Sequence, residues 1–107
     1  MSDGHIKKFT EESFESEIKK GLVLVDFYAD WCGPCRMMTP VLEKVAQEES
    51  GKVVIAKVDI DSAQSIAGNF QVTSVPTLIL FKEGKVVGRL VGLRDAATIK
   101  QFISTAS

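Results

Sequence analysis

The chain has 107 residues, of which 45% are hydrophobic and 25% are charged, and we expect residues 1–107 to form one soluble domain. The net charge is −1, with 13 basic and 14 acidic residues, so no basic field indicates a nucleic-acid or membrane partner. No apolar run approaches the roughly 20 residues that span a bilayer, and residues 1–5 lack the apolar segment of a signal peptide. We therefore expect a cytoplasmic protein, in which paired cysteines are more often catalytic or metal-binding than structural.

Hydrophobic periodicity predicts two strands, each followed by a helix, in the N-terminal half. In chain order these elements cover residues 6–9, 11–20, 22–28 and 34–49. Thr10 can cap the first helix, and Gly21 can end it. The second strand is apolar on both faces except at Asp26, which indicates that both faces are buried. Pro40 lies inside the second helix and predicts a kink there.

The C-terminal half predicts a strand, a helix, a hairpin of two strands and a last helix. The first four of these elements cover residues 53–58, 62–69, 77–81 and 86–91. Asp61 and Asp95 can cap the two helices. Crossover helices between the early strands demand parallel pairing, whereas the hairpin adds antiparallel pairing. The sequence therefore predicts an α/β fold, with a mixed central sheet of about five strands and four helices on its two faces.

Both cysteines lie in the segment Trp31-Cys32-Gly33-Pro34-Cys35, between the second strand and the second helix. Free backbone N–H groups and the helix dipole favour a thiolate at Cys32, and the thiolate is the attacking species in thiol–disulfide exchange. Cys35, one turn inside the helix, can close a disulfide with Cys32 and is expected to be more deeply buried. We predict that Cys32 attacks a substrate disulfide and that Cys35 resolves the mixed disulfide.

Metal binding is the main alternative to redox chemistry for this cysteine pair. A structural zinc site generally needs four ligands, and the chain offers two cysteines and the distant His5. A four-cysteine iron–sulfur site is two cysteines short, and haem attachment needs a histidine where Arg36 stands. We therefore expect no metal site within one chain, and a metal shared between two copies stays open.

Three further residues each have a structural and a functional interpretation. Asp26 is either a buried acid, whose pKa burial would raise, or an aspartate at a strand edge that bonds to backbone or water. Lys57 is either a partner of this site or an ordinary solvated strand residue. Trp31 is either a core aromatic or, beside an exposed thiolate, a flat apolar surface for a substrate chain.

Together these motifs resemble the thioredoxin family, of the bacterial type, over roughly residues 5–104. The matching segments occur in the expected order: Val25-Asp26-Phe27, Trp31 to Cys35, Lys57, Val75-Pro76-Thr77, Phe81 to Gly84 and Val91-Gly92. The Gly33-Pro34 pair resembles that of reducing members. Two departures stand out, since Tyr28 replaces a frequent second tryptophan and Thr73-Ser74 replace a frequent Arg-Gly pair.

The resemblance implies the thioredoxin fold and a general protein-disulfide reductase. It implies that Asp26 lies behind the cysteines, near Lys57, and exchanges protons with Cys35, so that all four residues serve catalysis. An X-Pro bond is usually trans, but the resemblance implies a cis bond before Pro76 in a loop that faces the cysteines. The implied substrate-binding residues are Trp31, Gly33, Pro34, Ile60, Val75, Pro76 and Gly92, with Asp59 and Asp61 at the rim.

The resemblance also implies the partners. These are disulfide-containing proteins and a thioredoxin reductase, which is NADPH-dependent or, in photosynthetic organisms, ferredoxin-dependent. We expect a monomer with no bound cofactor, no nucleic-acid partner and no membrane partner. Two alternatives stay open: a disulfide oxidase or isomerase of the same fold, which the reduction potential would decide, and a binding subunit that does not use its thiols.

Overall fold

A computed structural model describes residues 5–106 of the chain, so the signal-peptide prediction falls largely outside the described residues. The elements within this range follow one another in the predicted order. They are β1 (Ile6–Lys8), α1 (Phe14–Glu17), β2 (Leu22–Tyr28), α2 (Gly33–Glu48), β3 (Val54–Asp59), α3 (Gln64–Asn69), β4 (Thr77–Lys82), β5 (Lys85–Val91) and α4 (Ala96–Ser104). Except for α1, the predicted starts and ends agree with these bounds to within two residues.

The strands form one mixed sheet in the order β1-β3-β2-β4-β5. Strand β3 pairs in parallel with β1 and β2, whereas β4 pairs antiparallel with β2 and β5. Strand β2 is therefore central, which explains why its sequence is apolar on both faces. Within the described range, no helix is long and apolar enough to cross a membrane.

Successive side chains of β2 enter two separate cores, because strand residues alternate between the faces of a sheet. On one face, Leu24 packs with Met38 and Leu42 of α2 and with Ile99 of α4. The other face is covered by α1 and α3, through a cluster of aromatic rings. This cluster contains Phe9, Phe14, Phe27, Phe70 and Phe81. The prediction of helices on both faces is confirmed.

The first helix is shorter than the predicted range 11–20. Only Phe14 and Ile18 are buried in this segment, so packing supports little more than one helical turn. The Thr10 hydroxyl accepts a hydrogen bond from the Ser13 N–H at 3.2 Å, and the Thr10 carbonyl accepts one from the Phe14 N–H at 2.9 Å. Thr10 therefore closes a turn before the helix, and Ser13 occupies the cap position.

The prediction that Asp61 caps the third helix is wrong. Helix α3 begins three residues later, and no side chain caps it. The Asp61 carboxylate instead accepts a hydrogen bond from the indole N–H of Trp31 at 3.0 Å, while the Asp61 N–H donates to Asp59 Oδ1 at 2.9 Å. The other predicted cap is confirmed, because Asp95 Oδ1 accepts a hydrogen bond from the Thr98 N–H at 2.9 Å.

Candidate active site around the cysteine pair

The sheet topology brings two distant segments of the chain to the same end of β2. Cys32 follows the C-terminal end of β2, just before α2 begins. Strand β4 runs antiparallel to β2, with Thr77 paired to Phe27, so the start of β4 lies beside the end of β2. The loop before Thr77 therefore faces the cysteine segment, although more than 40 residues separate the two in sequence.

Cys32 and Cys35 are joined by a disulfide at the start of α2. Cys32 has an extended backbone at the N-cap position, and its Sγ accepts a hydrogen bond from the Cys35 N–H at 3.1 Å. This donor would stabilise a negative charge on Cys32 once the disulfide is reduced. Gly33 and Pro34 complete the first turn, where the missing N–H of proline matters least.

Both sulfur-bearing residues are buried in this state, with 5% of Cys32 and 3% of Cys35 exposed. Cys35 is the less exposed of the two, as predicted, but the exposed fractions differ only slightly. Cys32 is not the exposed group that the sequence predicted, because Ala29, Val75 and Ile60 pack around the pair. The remaining opening to solvent is small and is slightly wider at Cys32 than at Cys35.

Asp26 lies in the middle of β2 and is 0% exposed, which excludes the strand-edge interpretation. Its register neighbours are Lys57 on β3 and Leu78 on β4. Within the described part of the chain, neither carboxylate oxygen has a hydrogen-bond partner. Burial raises the pKa of Asp26 to about 7, and the positive charge of Lys57 opposes this shift. The prediction of a raised pKa is confirmed, and the group can gain or lose a proton near neutral pH.

Lys57 is half-buried and lies close to Tyr28. Its Nζ is 4.4 Å from the centroid of the Tyr28 ring, a cation–π distance. The ion pairs found among residues 5–106 do not include one between Lys57 and Asp26. Lys57 and Tyr28 line a cavity of about 80 Å³ that also contacts Cys35 and Thr39. Lys57 is therefore not fully solvated, and it borders the same cavity as Cys35.

Trp31 lies at the surface beside the cysteines, with 68% of the residue exposed. The core interpretation of this tryptophan is therefore wrong. The hydrogen bond from its indole N–H to Asp61 Oδ2 fixes one edge of the ring and leaves a broad apolar face open to solvent. This hydrogen bond joins residues 30 apart, and no local sequence pattern indicates it.

The loop opposite the cysteines is held close to them. The Val75–Pro76 peptide bond is cis, and the Val75 carbonyl oxygen lies 3.7 Å from Cys32 Sγ. The Gly92 N–H donates a hydrogen bond to the Pro76 carbonyl at 2.8 Å, and Gly92 has a φ of +96°, which favours glycine. Ile60 and Val75 pack against the cysteine cluster. The structure thus gathers these residues around Cys32.

Two features of the site were not predicted from the sequence. The first is the contact between Lys57 and Tyr28, although Tyr28 follows Asp26 by two residues and therefore shares its face of β2. The second is Arg36, whose guanidinium donates a hydrogen bond to the Asp30 carbonyl at 2.7 Å and stiffens the segment before the cysteines. Within residues 5–106, no cluster of three or more histidine, cysteine or acidic side chains is arranged to hold a metal ion.

Comparisons with known proteins agree over nearly the whole chain. The family model for thioredoxin matches residues 5–105. The thioredoxin of Chlamydia trachomatis is 52% identical over 99 residues, which cover 92% of this chain and 96% of the relative. The thioredoxin of Bacillus subtilis is 43% identical over 99 residues, with coverage of 92% and 95%. The crystal structure of oxidised mitochondrial thioredoxin 3 from Saccharomyces cerevisiae has a TM-score of 0.87 at 36% identity and covers 98% of this chain and 99% of its own.

Proposed function

Since this chain belongs to the thioredoxin family and is a protein-disulfide reductase, we propose that Cys32 is its attacking thiolate and Cys35 its resolving thiol. The Cys32 thiolate attacks one sulfur of the substrate disulfide, forms a mixed disulfide and releases the other substrate sulfur as a thiolate. The Cys35 thiolate then attacks Cys32 Sγ, which releases the second substrate thiol and leaves the Cys32–Cys35 disulfide. The observation that carries this assignment is the hydrogen bond from the Cys35 N–H to Cys32 Sγ at the start of α2.

The second step needs a base, because Cys35 must lose its proton before it attacks. Asp26 is the proposed acceptor, since its pKa of about 7 lets it take up a proton at neutral pH. It lies on the face of β2 that α2 covers, and the cavity beside Lys57 reaches Cys35. This cavity is the proposed route for the proton, and Lys57 supplies a positive charge that keeps part of the Asp26 population ionised.

The surface around Cys32 is the proposed site for an extended substrate segment. The Val75 carbonyl lies 3.7 Å from Cys32 Sγ, and the exposed face of Trp31 lies on the chain next to Cys32, and such a surface suits many sequences. Backbone pairing would give affinity without strong sequence selection. The proposed substrate-binding residues are Trp31, Gly33, Pro34, Ile60, Val75, Pro76 and Gly92.

Members of the thioredoxin family act on disulfide-containing proteins and receive electrons from a reductase. For this chain the proposed donor is a thioredoxin reductase that draws on NADPH, with no cofactor bound to the chain itself. We also infer that residues 1–107 form a single thioredoxin domain that acts as a monomer in the cytoplasm. Its balanced charge favours neither nucleic acid nor membrane as a partner.

Insulin reduction tests the activity and the electron supply separately. We expect the protein to accelerate precipitation of insulin chains when dithiothreitol is the reductant, and also when NADPH and thioredoxin reductase are the reductant. Failure in both assays would contradict the proposed exchange of the Cys32–Cys35 dithiol with substrate disulfides. Activity with dithiothreitol and with reduced ferredoxin plus its thioredoxin reductase, but not with NADPH, would contradict only the proposed source of electrons.

The hydrogen bond between Trp31 and Asp61 gives a test of the substrate surface. In Asp61→Ala the indole loses its acceptor, a contact worth about 0.5–1.5 kcal/mol, so we expect KM for insulin to rise roughly threefold with kcat nearly unchanged. Trp31 is the sole tryptophan, so a fall in its fluorescence anisotropy would report the freed ring. Asp61→Asn keeps an oxygen acceptor and is the matched control. A freed ring with unchanged KM would remove Trp31 from the substrate surface.

A further inference from the structure

Two lysines and the buried acid occupy one cross-strand row of the sheet. Lys8 on β1 pairs with Lys57 on β3, and Lys57 pairs with Asp26 on β2. Residues paired in this way project from the same face of a sheet, here the face that α2 covers. This row runs from exposed Lys8 through half-buried Lys57 to fully buried Asp26, so two positive charges lie on one side of a single buried carboxyl group.

The Tyr28 side chain contacts both lysines. It follows Asp26 by two residues, so its side chain lies on the same face in the next row, and it is almost fully buried. The Lys57 ammonium lies 4.4 Å from its ring centroid, and Lys8 interacts with its hydroxyl group, a contact that raises the pKa of Lys8. The Lys57 ammonium thus contacts an aromatic face, whereas the Asp26 oxygens have no hydrogen-bond partner among the described residues.

The position of the ammonium matters because of the cavity that it borders. Lys57, Tyr28, Cys35 and Thr39 line this space of about 80 Å³, which exceeds the roughly 10–15 Å³ that a cavity needs to hold one water. Exposed Asp30 and Arg36 also line it, so the cavity reaches the surface. A charge held at this wall lies between solvent and the resolving cysteine.

We infer that Tyr28 is a positioning residue, whose ring holds the Lys57 ammonium at the wall of this cavity, beside the Asp26 carboxyl group but not bound to it. The inference rests on the proposed role of Asp26 and Lys57 in proton transfer. An ammonium bound directly to Asp26 would keep the carboxylate ionised, whereas an ammonium released into solvent would leave the effect of burial unopposed. An ammonium held on the aromatic face is intermediate between these two cases. The ring attracts the cation and keeps it near Asp26 without a direct bond to the carboxylate.

Other charged groups around this pair contribute to the same balance. They are Lys8 from β1, Asp26 from β2, Asp30 from the following loop, Arg36 from α2 and Asp59 from the end of β3. Of these groups, Lys8 contacts Tyr28 directly and loses that contact when Tyr28 is substituted, so Tyr28→Leu must be compared with Tyr28→Phe to isolate the contribution of the ring. The Lys8 contact involves the hydroxyl group alone, and Tyr28→Phe removes it while the ring stays.

The test is a titration of the Asp26 carboxyl carbon by NMR in the full, disulfide-bonded chain. We expect the pKa of Asp26 to rise by roughly 0.5 or more in Tyr28→Leu, because the freed ammonium moves into solvent, and to stay near the wild-type value in Tyr28→Phe. In a Lys57→Met background, Tyr28→Leu should change this pKa little. Tyr28→Met is a second variant without a ring, for use if the leucine variant does not fold.

Three results would overturn the inference. One is an equal shift with and without Lys57, which would mean that the ring acts through solvation of Asp26. Another is an unchanged or lowered pKa in Tyr28→Leu, and the third is a shift in Tyr28→Phe as large as in Tyr28→Leu. Failure of the proposed proton transfer is distinguishable, since it would appear as an unchanged rate of insulin reduction in Asp26→Asn while the coupling of Tyr28 to Lys57 persisted.

Discussion

Cys35→Ser is expected to abolish turnover of insulin disulfides and to accumulate a covalent mixed disulfide through Cys32. Without the second thiol, the mixed disulfide can be resolved only by an external thiol. Loss of the intramolecular reaction should slow this step by roughly 10³-fold or more, given the effective molarity of a well-placed neighbouring group. Non-reducing electrophoresis and mass spectrometry of the reduced variant, after incubation with insulin, measure the trapped species.

Cys32→Ser is the matched control for this experiment. It should lose turnover to the same extent but trap no substrate, because Cys35 is buried behind the opening at Cys32 and lacks the N-cap position that stabilises a thiolate. If Cys32→Ser trapped insulin and Cys35→Ser did not, the assignment of attacking and resolving cysteines would be reversed. Trapping by both variants would show that substrate disulfides reach either sulfur.

Asp26→Asn is expected to stabilise the protein at neutral and alkaline pH. The folded-state pKa of Asp26, about 7, lies above the ordinary value of 3.8, so the folded chain binds this proton more tightly than the unfolded chain. The resulting stabilisation of the wild type is complete below about pH 4 and is lost as pH rises through 7. Asparagine stays neutral throughout, so the variant avoids this loss, which approaches about 4 kcal/mol above pH 7.

Urea unfolding of the oxidised proteins at several pH values measures this effect. The stability difference between Asp26→Asn and the wild type should be small near pH 4, grow between pH 4 and 7, and level off above pH 7. The same variant should slow insulin reduction near neutral pH, because Cys35 loses its proton acceptor. A difference that is independent of pH, or a lower midpoint for the variant at pH 8, would contradict burial of an ionisable acid in β2.

The central strand and its acid could be predicted because both leave local marks in the sequence. Strand β2 has a continuous apolar run, which parallel pairing under helices on both faces requires, and Asp26 interrupts it. A carboxyl group within such a run is surrounded by buried positions, so burial of Asp26 could be expected from the sequence. The cysteine spacing likewise indicated a dithiol by local geometry alone, whereas the order of strands and the loop before Thr77 came from the family resemblance.

Other features depend on contacts between distant segments. For these, the local sequence pattern gave either a wrong prediction or none. Glu11 and Glu12 suit the first turn of a helix, yet without buried side chains among them this segment forms only turns. Asp61 is a residue type that often caps helices, but its carboxylate instead accepts a hydrogen bond from the indole N–H of Trp31. The contact of Lys57 with Tyr28 follows from the register of β2 on β3, which neither strand specifies by itself.

The hydrogen bond from Gly92 to Pro76 has a consequence for how such a reductase can change its targets. It ties the end of β5 to the start of β4, so one side of the proposed substrate surface belongs to the hairpin of β4 and β5, whereas both sulfurs belong to the junction of β2 and α2. Part of the proposed recognition surface is thus encoded apart from the dithiol, whereas Trp31, Gly33 and Pro34 lie in the same segment as the cysteines. Exposed Thr73 and Ser74 can vary with the partners of the protein while the chemistry of the dithiol is inherited intact.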